Sequence, residues 1–175
     1  MLINFKSLLP TAYVASIYDY DLSAAYARGK RLILFDIDNT LVPHGAPADG
    51  RTEAFFRMLK ESGFRTCLIS NNNEKRVRPF AERVGAEFTC KAGKPLRKGY
   101  TAAMAAMETK KEETLFIGDQ ILTDVLGANN AGIRSFLVRP VAPETDPFQV
   151  RLKRILERPV LFFFRRKTGN TSKNR

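Results

Sequence analysis

Two pairs of acidic residues follow short apolar runs of this chain. Asp36 and Asp38 come directly after the run Leu32–Phe35, and Asp119 and Asp124 come after a later run. One carboxylate of such a pair can attack phosphorus while the other carries a proton, and carboxylate oxygens also suit Mg²⁺. The acids therefore indicate phosphoryl-transfer chemistry.

Hydroxyl, amide and ammonium groups lie between the two acidic pairs. Ser70 and Asn71 end another apolar run, and Lys94 stands beside a proline. These groups suit phosphate oxygens. Each of them alone is most often a helix cap or a solvated side chain. Their order along the chain argues against that interpretation of the whole set: acids, hydroxyl, lysine, then acids.

The elements that must position these residues follow from the apolar pattern. The predicted strands span Leu32–Phe35, Thr66–Ser70, Glu87–Cys90, Thr114–Ile117 and Ile133–Val138. The predicted helices span Thr52–Ser62, Glu74–Val84, Leu96–Met107 and Ile121–Ala131. Strands that alternate with helices of crossover length predict a Rossmann-like α/β fold, with a five-stranded parallel sheet and helices on both faces. Ligands of such sheets gather at the carboxyl ends of the strands.

The chain divides into three predicted parts. Residues 1–30 are predicted to be a helical extension around Pro10, and residues 31–140 the core. Residues 141–175 are predicted to be a proline-rich connection, an amphipathic helix over Phe148–Glu157 and a basic tail. The apolar face predicted for the extension consists of Leu8, Leu9, Tyr13, Val14 and Ile17.

Composition favours a globular cytoplasmic protein. The chain has 175 residues, 44% of them hydrophobic and 27% charged, which is enough for a packed core. It lacks an apolar run of the ~20 residues needed to span a bilayer, and it lacks a secretory leader pattern. Two cysteines are too few for a disulfide scaffold.

The net charge of +11 is concentrated at one end of the chain. Residues 151–175 hold nine basic side chains and one acid, a net charge of +8. An apolar run, Val160–Phe164, lies inside this segment. Such a tail attracts nucleic acid, anionic lipid or an acidic protein surface, and the charge alone does not choose among them.

The residues that several other phosphate-binding or metal-binding proteins require are missing from this sequence. The glycine-rich phosphate loop and the dinucleotide-binding glycine pattern are both missing from the sequence. A phospho-accepting receiver domain would need an aspartate at the end of the third predicted strand, where there is none. His44 is the one histidine, so a site with several histidine ligands is excluded. Cys67 falls inside a predicted strand and is expected in the core.

Four motifs within residues 31–139 resemble those of the haloacid dehalogenase superfamily of phosphatases. They read LILFDIDNT, LISN, GKP and GDQILTD. The segments around Leu9-Pro10 and Tyr13-Val14, with DNTLVPH and NNNEKRVRPFAERVG, resemble the YqeG-like subgroup of subclass IIIA. That subgroup is related to phosphatidylglycerophosphatases. The resemblance implies a hydrolase of phosphomonoesters.

The resemblance also implies a role for each matching residue. Asp36 would be the nucleophile that forms an aspartyl-phosphate, and Asp38 the general acid and then the base. Ser70 and Lys94 would hold the transferring phosphoryl group.

The same resemblance implies a Mg²⁺ site. The ion would be bound by the carboxylates of Asp36 and Asp119 and by the main-chain carbonyl of Asp38. Asp124 would complete the metal site through a water or by orienting Lys94. The residues predicted to bind substrate are Thr40, Asn71 and His44.

Spacing predicts a fold without a cap domain. Asp36 lies 34 residues before Ser70, which lies 24 before Lys94, and neither interval can hold an extra domain. An open site favours a phosphate carried on something large or on a surface.

The resemblance to phosphatidylglycerophosphatases implies phosphatidylglycerol phosphate as substrate. The open site, the apolar run and the basic tail favour peripheral contact with an anionic membrane. A phosphatase for a soluble metabolite, nucleotide or phosphoprotein is the first alternative. A nucleic-acid-binding module with a vestigial site is the second, but the tail lacks interleaved aromatic residues, so no nucleic-acid partner is expected.

Overall fold

The computed structural model describes residues 4–18 and 20–168. The end of the predicted basic tail, with Lys173 and Arg175, lies outside this range.

One parallel sheet organises the molecule. In the described part of the chain it has six strands, in the order β1-β6-β5-β2-β3-β4. The strands are β1 Ala12–Val14, β2 Leu32–Phe35, β3 Arg65–Ile69, β4 Glu87–Thr89, β5 Thr114–Gly118 and β6 Arg134–Val138. The predicted α/β fold with a parallel sheet is confirmed, with one strand more than expected.

The additional strand is β1, at one edge of the sheet. Tyr13 lies opposite Leu137 of β6 in register, so the helical face predicted for Tyr13 and Val14 is wrong. The strand has three residues, too few for an alternating pattern to distinguish it from one helical turn. The flanking helical pieces of residues 4–30 are short: a 3₁₀ helix at Phe5–Leu8 and α1 at Ser23–Ala27.

Helices cover both faces of the sheet. They are α2 Gly50–Glu61, α3 Glu74–Val84, α4 Arg97–Ala106, α5 Leu126–Asn130 and α6 Phe148–Thr168, and a π-helical turn over Ile121–Val125 runs directly into α5. Side chains fix the starts of two of them: Asp49 accepts from the Thr52 N–H before α2, and Asn73 from the Arg76 N–H before α3. Gly85 ends α3 with φ of 66°, a left-handed conformation that glycine adopts without strain.

The core lies on the two sides of β2. Ile33 and Phe35 pack with α2 and α3, whereas Leu32 and Leu34 pack with α4 and α5. All four side chains are fully buried. A strand buried on both faces reads as a continuous apolar run, which is why the sequence predicts the bounds of β2 correctly.

The C-terminal helix is longer than predicted. The amphipathic segment expected to end at Glu157 and the apolar run after it form one helix, α6, which contains Pro159. Proline in a helix leaves a carbonyl without its donor. Pro159 lies on the exposed side of α6, where water can hydrogen-bond that carbonyl. Across the described ranges, no helix combines the length and the apolar character needed to cross a membrane.

Gly127 lets α5 approach α4. A Cβ at this position would lie 2.5 Å from the Tyr100 hydroxyl oxygen and 2.6 Å from its Cε2. Tyr100 is fully buried and donates toward the carbonyls of Thr123 and Asp124 at 3.2 and 3.3 Å. We expect Gly127→Ala to lower the free energy of unfolding by about 1–3 kcal/mol, measured by urea denaturation.

Gly50→Ala is the matched control for this substitution. A Cβ at Gly50 meets no atom within 4 Å, so stability should stay the same or rise slightly. Equal stability of the two variants would contradict the packing argument.

Glu157 predicts a pH dependence of stability. Its Oε1 accepts the Leu122 N–H at 2.8 Å, and burial raises its pKa from 4.5 to about 7, opposed by that hydrogen bond and by Arg154. Between those two values the folded state keeps a proton that the unfolded chain has lost. Stability is therefore lost as the pH rises through about 7.

The test is Glu157→Gln, which should remove this slope. Relative to the variant, the wild type should lose up to roughly 3 kcal/mol of unfolding free energy between about pH 5 and pH 8. Urea denaturation at both pH values measures the difference. Parallel pH profiles for the two proteins would show that Glu157 does not titrate in this range.

Candidate active site

The predicted site residues meet at the carboxyl ends of neighbouring strands. Asp36 directly follows β2, Ser70 follows β3 and Asp119 follows β5, and β2 lies between the other two strands. Lys94 comes from the loop after β4. The strand order therefore brings together residues that are far apart along the chain.

The Lys94 ammonium lies between two carboxylates. Its Nζ is 2.5 Å from Asp36 Oδ1 and 2.7 Å from Asp124 Oδ1, and all three side chains are buried. Burial alone would lower the pKa of Lys94, but Asp124 and Asp36 raise it above its ordinary value. Burial, with Asp124 and Asp119, raises the pKa of Asp36 well above its usual range despite the opposing effect of Lys94. Lys94 is thus a fixed cation inside an acidic cluster.

The loop after β5 wraps around the Asp124 carboxylate. Asp124 Oδ2 accepts the backbone N–H groups of Asp119 at 3.1 Å and Gln120 at 3.0 Å. A Cβ at Gly118 would lie 2.6 Å from Asp124 Cγ, so this approach requires glycine. The spacing of the two aspartates in GDQILTD lets the loop fold back so that the Asp124 carboxylate reaches these N–H groups. The other oxygen of this carboxylate, Oδ1, contacts Lys94.

Asp119 connects to both sides of the site. Its Oδ1 accepts the Thr40 hydroxyl at 3.2 Å, and its Oδ2 pairs with Arg154 at 2.5 Å. Thr40 Oγ1 is also 3.5 Å from Asp36 Oδ2. Burial and Asp124 raise the pKa of Asp119 to about 7, opposed by Arg154. Thr40 therefore lies between the two carboxylates that the resemblance assigns to the metal.

The acidic cluster fits a divalent cation. Asp36, Asp119 and Asp124 each offer an oxygen, and these atoms all lie within 4.8 Å of one another. An all-oxygen set suits a hard cation such as Mg²⁺. If all three acids are ionised, they outnumber Lys94 and Arg154 by one charge, so a further cation would be electrostatically favoured.

Asp38 lies at the edge of this cluster, and its carboxylate is partly exposed. Its Oδ1 accepts from the Gly45 N–H at 2.8 Å and from Arg76 Nη2 at 2.9 Å, and its Oδ2 accepts from Asn72 Nδ2 at 2.6 Å. The Asp38 side chain thus contacts the loop after β2 and the start of α3, apart from the three clustered carboxylates.

The other predicted residues differ in their contacts. The buried Ser70 Oγ accepts the Asn72 N–H at 3.1 Å. The Asn71 amide exchanges two hydrogen bonds with the backbone of Lys94, at 2.8 and 3.1 Å, so it holds that lysine in place. The His44 N–H donates to Thr145 Oγ1 at 3.1 Å. Among the described residues, the His44 ring makes no hydrogen bond to the site.

Sequence reasoning missed the residues that connect α6 to the site. Arg154 Nε pairs with Asp146 Oδ2 at 2.5 Å, and Asp146 Oδ1 accepts from Asn39 Nδ2 at 2.6 Å. In the sequence, Arg154 is one of the nine basic side chains counted in residues 151–175, and nothing there assigns it to the site. The available signal was its i,i+3 spacing to Glu157, which puts both side chains on one helix face.

These geometric features agree with the comparisons to known proteins. Residues 45–132 match the family of haloacid dehalogenase-like hydrolases, and the chain belongs to that family. It is 42% identical over 163 residues to the probable phosphatase YqeG of Bacillus subtilis strain 168, covering 93% of this chain and 94% of that protein. The resemblance predicted from the motifs is confirmed, and phosphatase activity is supported.

Two further similarities are more distant. The chain is 26% identical over 164 residues to the chloroplastic phosphatidylglycerophosphate phosphatase 1 of Chlamydomonas reinhardtii, covering 88% of this chain and 61% of that protein. The cobalt-bound deoxy-D-mannose-octulosonate 8-phosphate phosphatase of Haemophilus influenzae superposes with a TM-score of 0.53 at 14% identity. The superposition covers 83% of this chain and 95% of the Haemophilus chain, and this similarity confirms the fold.

Arg154→Gln tests the connection between α6 and the site. Without the guanidinium, Asp119 and Asp146 keep their burial but lose their cation. We expect the free energy of unfolding to fall by roughly 3 kcal/mol and turnover to fall with it. Arg158→Gln makes the same change one helical turn later at an exposed position, and it should alter neither stability nor the turnover of p-nitrophenyl phosphate, the soluble ester on which both variants are assayed. Indistinguishable urea midpoints for the two variants would contradict this role.

Proposed function

We propose that this protein is a Mg²⁺-dependent phosphomonoester hydrolase that acts through an aspartyl-phosphate on Asp36, with phosphatidylglycerol phosphate at a membrane surface as its substrate. The observation that carries the proposal is the buried cluster in which the Lys94 ammonium contacts Asp36 and Asp124.

Asp36 is the proposed nucleophile. One of its oxygens forms a bond to phosphorus while the bond from phosphorus to the alcohol oxygen breaks. Lys94 Nζ is already 2.5 Å from Asp36 Oδ1, so it can contact an oxygen of the phosphoryl group during transfer. Ser70, at the end of the neighbouring strand, supplies a hydroxyl donor to the same group.

Asp38 is the proposed proton carrier. In the first step it gives a proton to the departing alcohol oxygen. In the second step it takes a proton from the water that attacks the aspartyl-phosphate, which releases inorganic phosphate and restores Asp36. Its partly exposed position at the edge of the buried cluster supports this role, because the alcohol must leave toward solvent.

Asp36, Asp119 and the main-chain carbonyl of Asp38 are proposed to hold Mg²⁺, with Asp124 as a fourth member. The ion supplies positive charge for the phosphoryl oxygens. Because Asp124 contacts Lys94 directly, the orienting role is the better supported of the two considered for it. Thr40 and Asn71 are proposed to position Asp119 and Lys94, and His44 remains a proposed contact for substrate.

Two observations support a lipid substrate. The stretch from Asp36 to Ser70 contains α2 and β3, and the stretch from Ser70 to Lys94 contains α3 and β4, so neither holds a cap domain over the site. The Chlamydomonas relative is named as a phosphatidylglycerophosphate phosphatase. An uncovered site can reach a phosphate that projects from a bilayer.

Asp36→Asn tests the mechanism. The amide is a poor nucleophile, so phosphate release should fall by at least about 10³-fold for every substrate. Phosphate release is measured with Mg²⁺ and after chelation, on phosphatidylglycerol phosphate, glycerol 3-phosphate and p-nitrophenyl phosphate. The control is Asp21→Asn, which changes an exposed aspartate and should retain wild-type turnover.

The same assay separates the two parts of the proposal. Full turnover by Asp36→Asn would overturn the mechanism. Equal kcat/KM on the lipid and the soluble esters, with turnover still dependent on Asp36, would overturn the lipid substrate and favour a soluble phosphate.

A further inference from the structure

We propose that the outer face of α6 is a docking surface for an anionic lipid bilayer, adjacent to the acidic site. The surface consists of an apolar stripe and a basic flank beside it. The stripe is formed by Phe148, Leu152, Ile155, Leu156, Phe162 and Phe163.

The stripe is a continuous exposed band. Its members lie at positions 148, 152, 155, 156, 162 and 163, which fall on one side of a helix with 3.6 residues per turn. Phe148 is 79% exposed, and Leu156 and Phe162 are each 62% exposed. Single exposed apolar residues are ordinary on protein surfaces, but an aligned row of six on one helix marks an interaction site.

The opposite side of α6 is already occupied by the protein body. Val160 packs in a buried cluster with Ile121, Val125 and Leu137, and the Glu157 carboxylate accepts the Leu122 N–H. The stripe cannot turn inward without breaking these contacts. Phe163 packs edge to face on Phe5, with ring centroids 6.0 Å apart, and the rest of the stripe is available to a partner.

The charge around the stripe selects the partner. Arg151, Arg158 and Arg165 recur every seven residues and form the basic flank along one side of the stripe. The one acid of α6, Glu157, is buried. An anionic bilayer attracts basic residues to its surface, and apolar side chains inserted at the interface add to the binding.

Two other partners fit this surface less well. A second copy of the chain would bring an identical row of arginines against the first, and the like charges would repel. A nucleic acid would match the arginines but would leave Leu152, Ile155 and Leu156 without an apolar partner. An anionic bilayer matches both the charge and the apolar stripe.

The docking surface is next to the acidic site. Ile155 of the stripe follows Arg154, whose guanidinium contacts Asp119 Oδ2. Binding of α6 to lipid would thus bring the carboxylate cluster close to the headgroups. The role of docking in bringing the carboxylate cluster to its substrate rests on the proposed lipid phosphatase function, whereas the binding of α6 to the bilayer does not.

Vesicle co-sedimentation tests the docking surface. The full-length wild type should bind phosphatidylcholine–phosphatidylglycerol vesicles and not vesicles of phosphatidylcholine alone. Leu152→Glu/Leu156→Glu places two acids in the stripe and should weaken binding to the mixed vesicles by at least about tenfold. Met58→Glu, at an exposed apolar residue of α2, should bind as the wild type does. Thermal unfolding verifies that each variant is folded.

Turnover of p-nitrophenyl phosphate separates docking from catalysis. The double variant should keep wild-type turnover of this soluble ester and lose turnover of the lipid in vesicles. If no lipid is hydrolysed at all, the proposed function fails while co-sedimentation still reports on docking.

The docking proposal would be overturned if the wild type bound neutral vesicles as well as the mixed ones, or bound neither kind. It would also be overturned if the double variant bound the mixed vesicles as the wild type does, or if the protein were retained on RNA and not on vesicles. A dimer that forms without lipid and is lost in the double variant would also overturn it, by identifying the partner as a second copy.

Discussion

The contact of one buried ammonium with two buried carboxylates is the constraint on which the site depends. Two carboxylates at the ends of neighbouring strands and a third in the π-helical turn after β5 repel one another and lose their hydration, and burial of unpaired charge is costly. Lys94 inside the cluster and Arg154 at its edge offset part of that cost. The three carboxylates that these cations hold together also form an all-oxygen set that suits a divalent cation.

Much of the backbone around the cluster serves to keep that ammonium in place. Asn71 holds the main chain of Lys94 with two hydrogen bonds, and the loop after β5 closes on Asp124 because Gly118 has no side chain. The Tyr100 hydroxyl, on α4, donates toward the carbonyl of Asp124. Residues that never reach a substrate thus determine where the reacting groups lie.

The sequence predicts what local patterns encode and misses what depends on tertiary contacts. The bounds of β2 and α3 are correct because a doubly buried strand and a capped amphipathic helix have strong local signals. The motif residues meet as expected because parallel strands end at one edge. By contrast, β1 is too short to show a pattern, and the contact of Arg154 with Asp119 joins residues 35 positions apart that no spacing rule relates. Asn71 is predicted to bind substrate, and the two hydrogen bonds of its side-chain amide to the backbone of Lys94 are visible only in three dimensions.

The position of Arg154 after all six described strands has a consequence for biosynthesis. The sheet and its acidic residues are synthesised before α6, because they precede it in the sequence. Until α6 is synthesised, Asp119 and Asp146 lack their guanidinium partner, and the loop of Asn39 lacks its connection to α6 through Asp146. A nascent chain that has not yet reached Arg154 therefore lacks part of the site, although every carboxylate of the cluster has already been made.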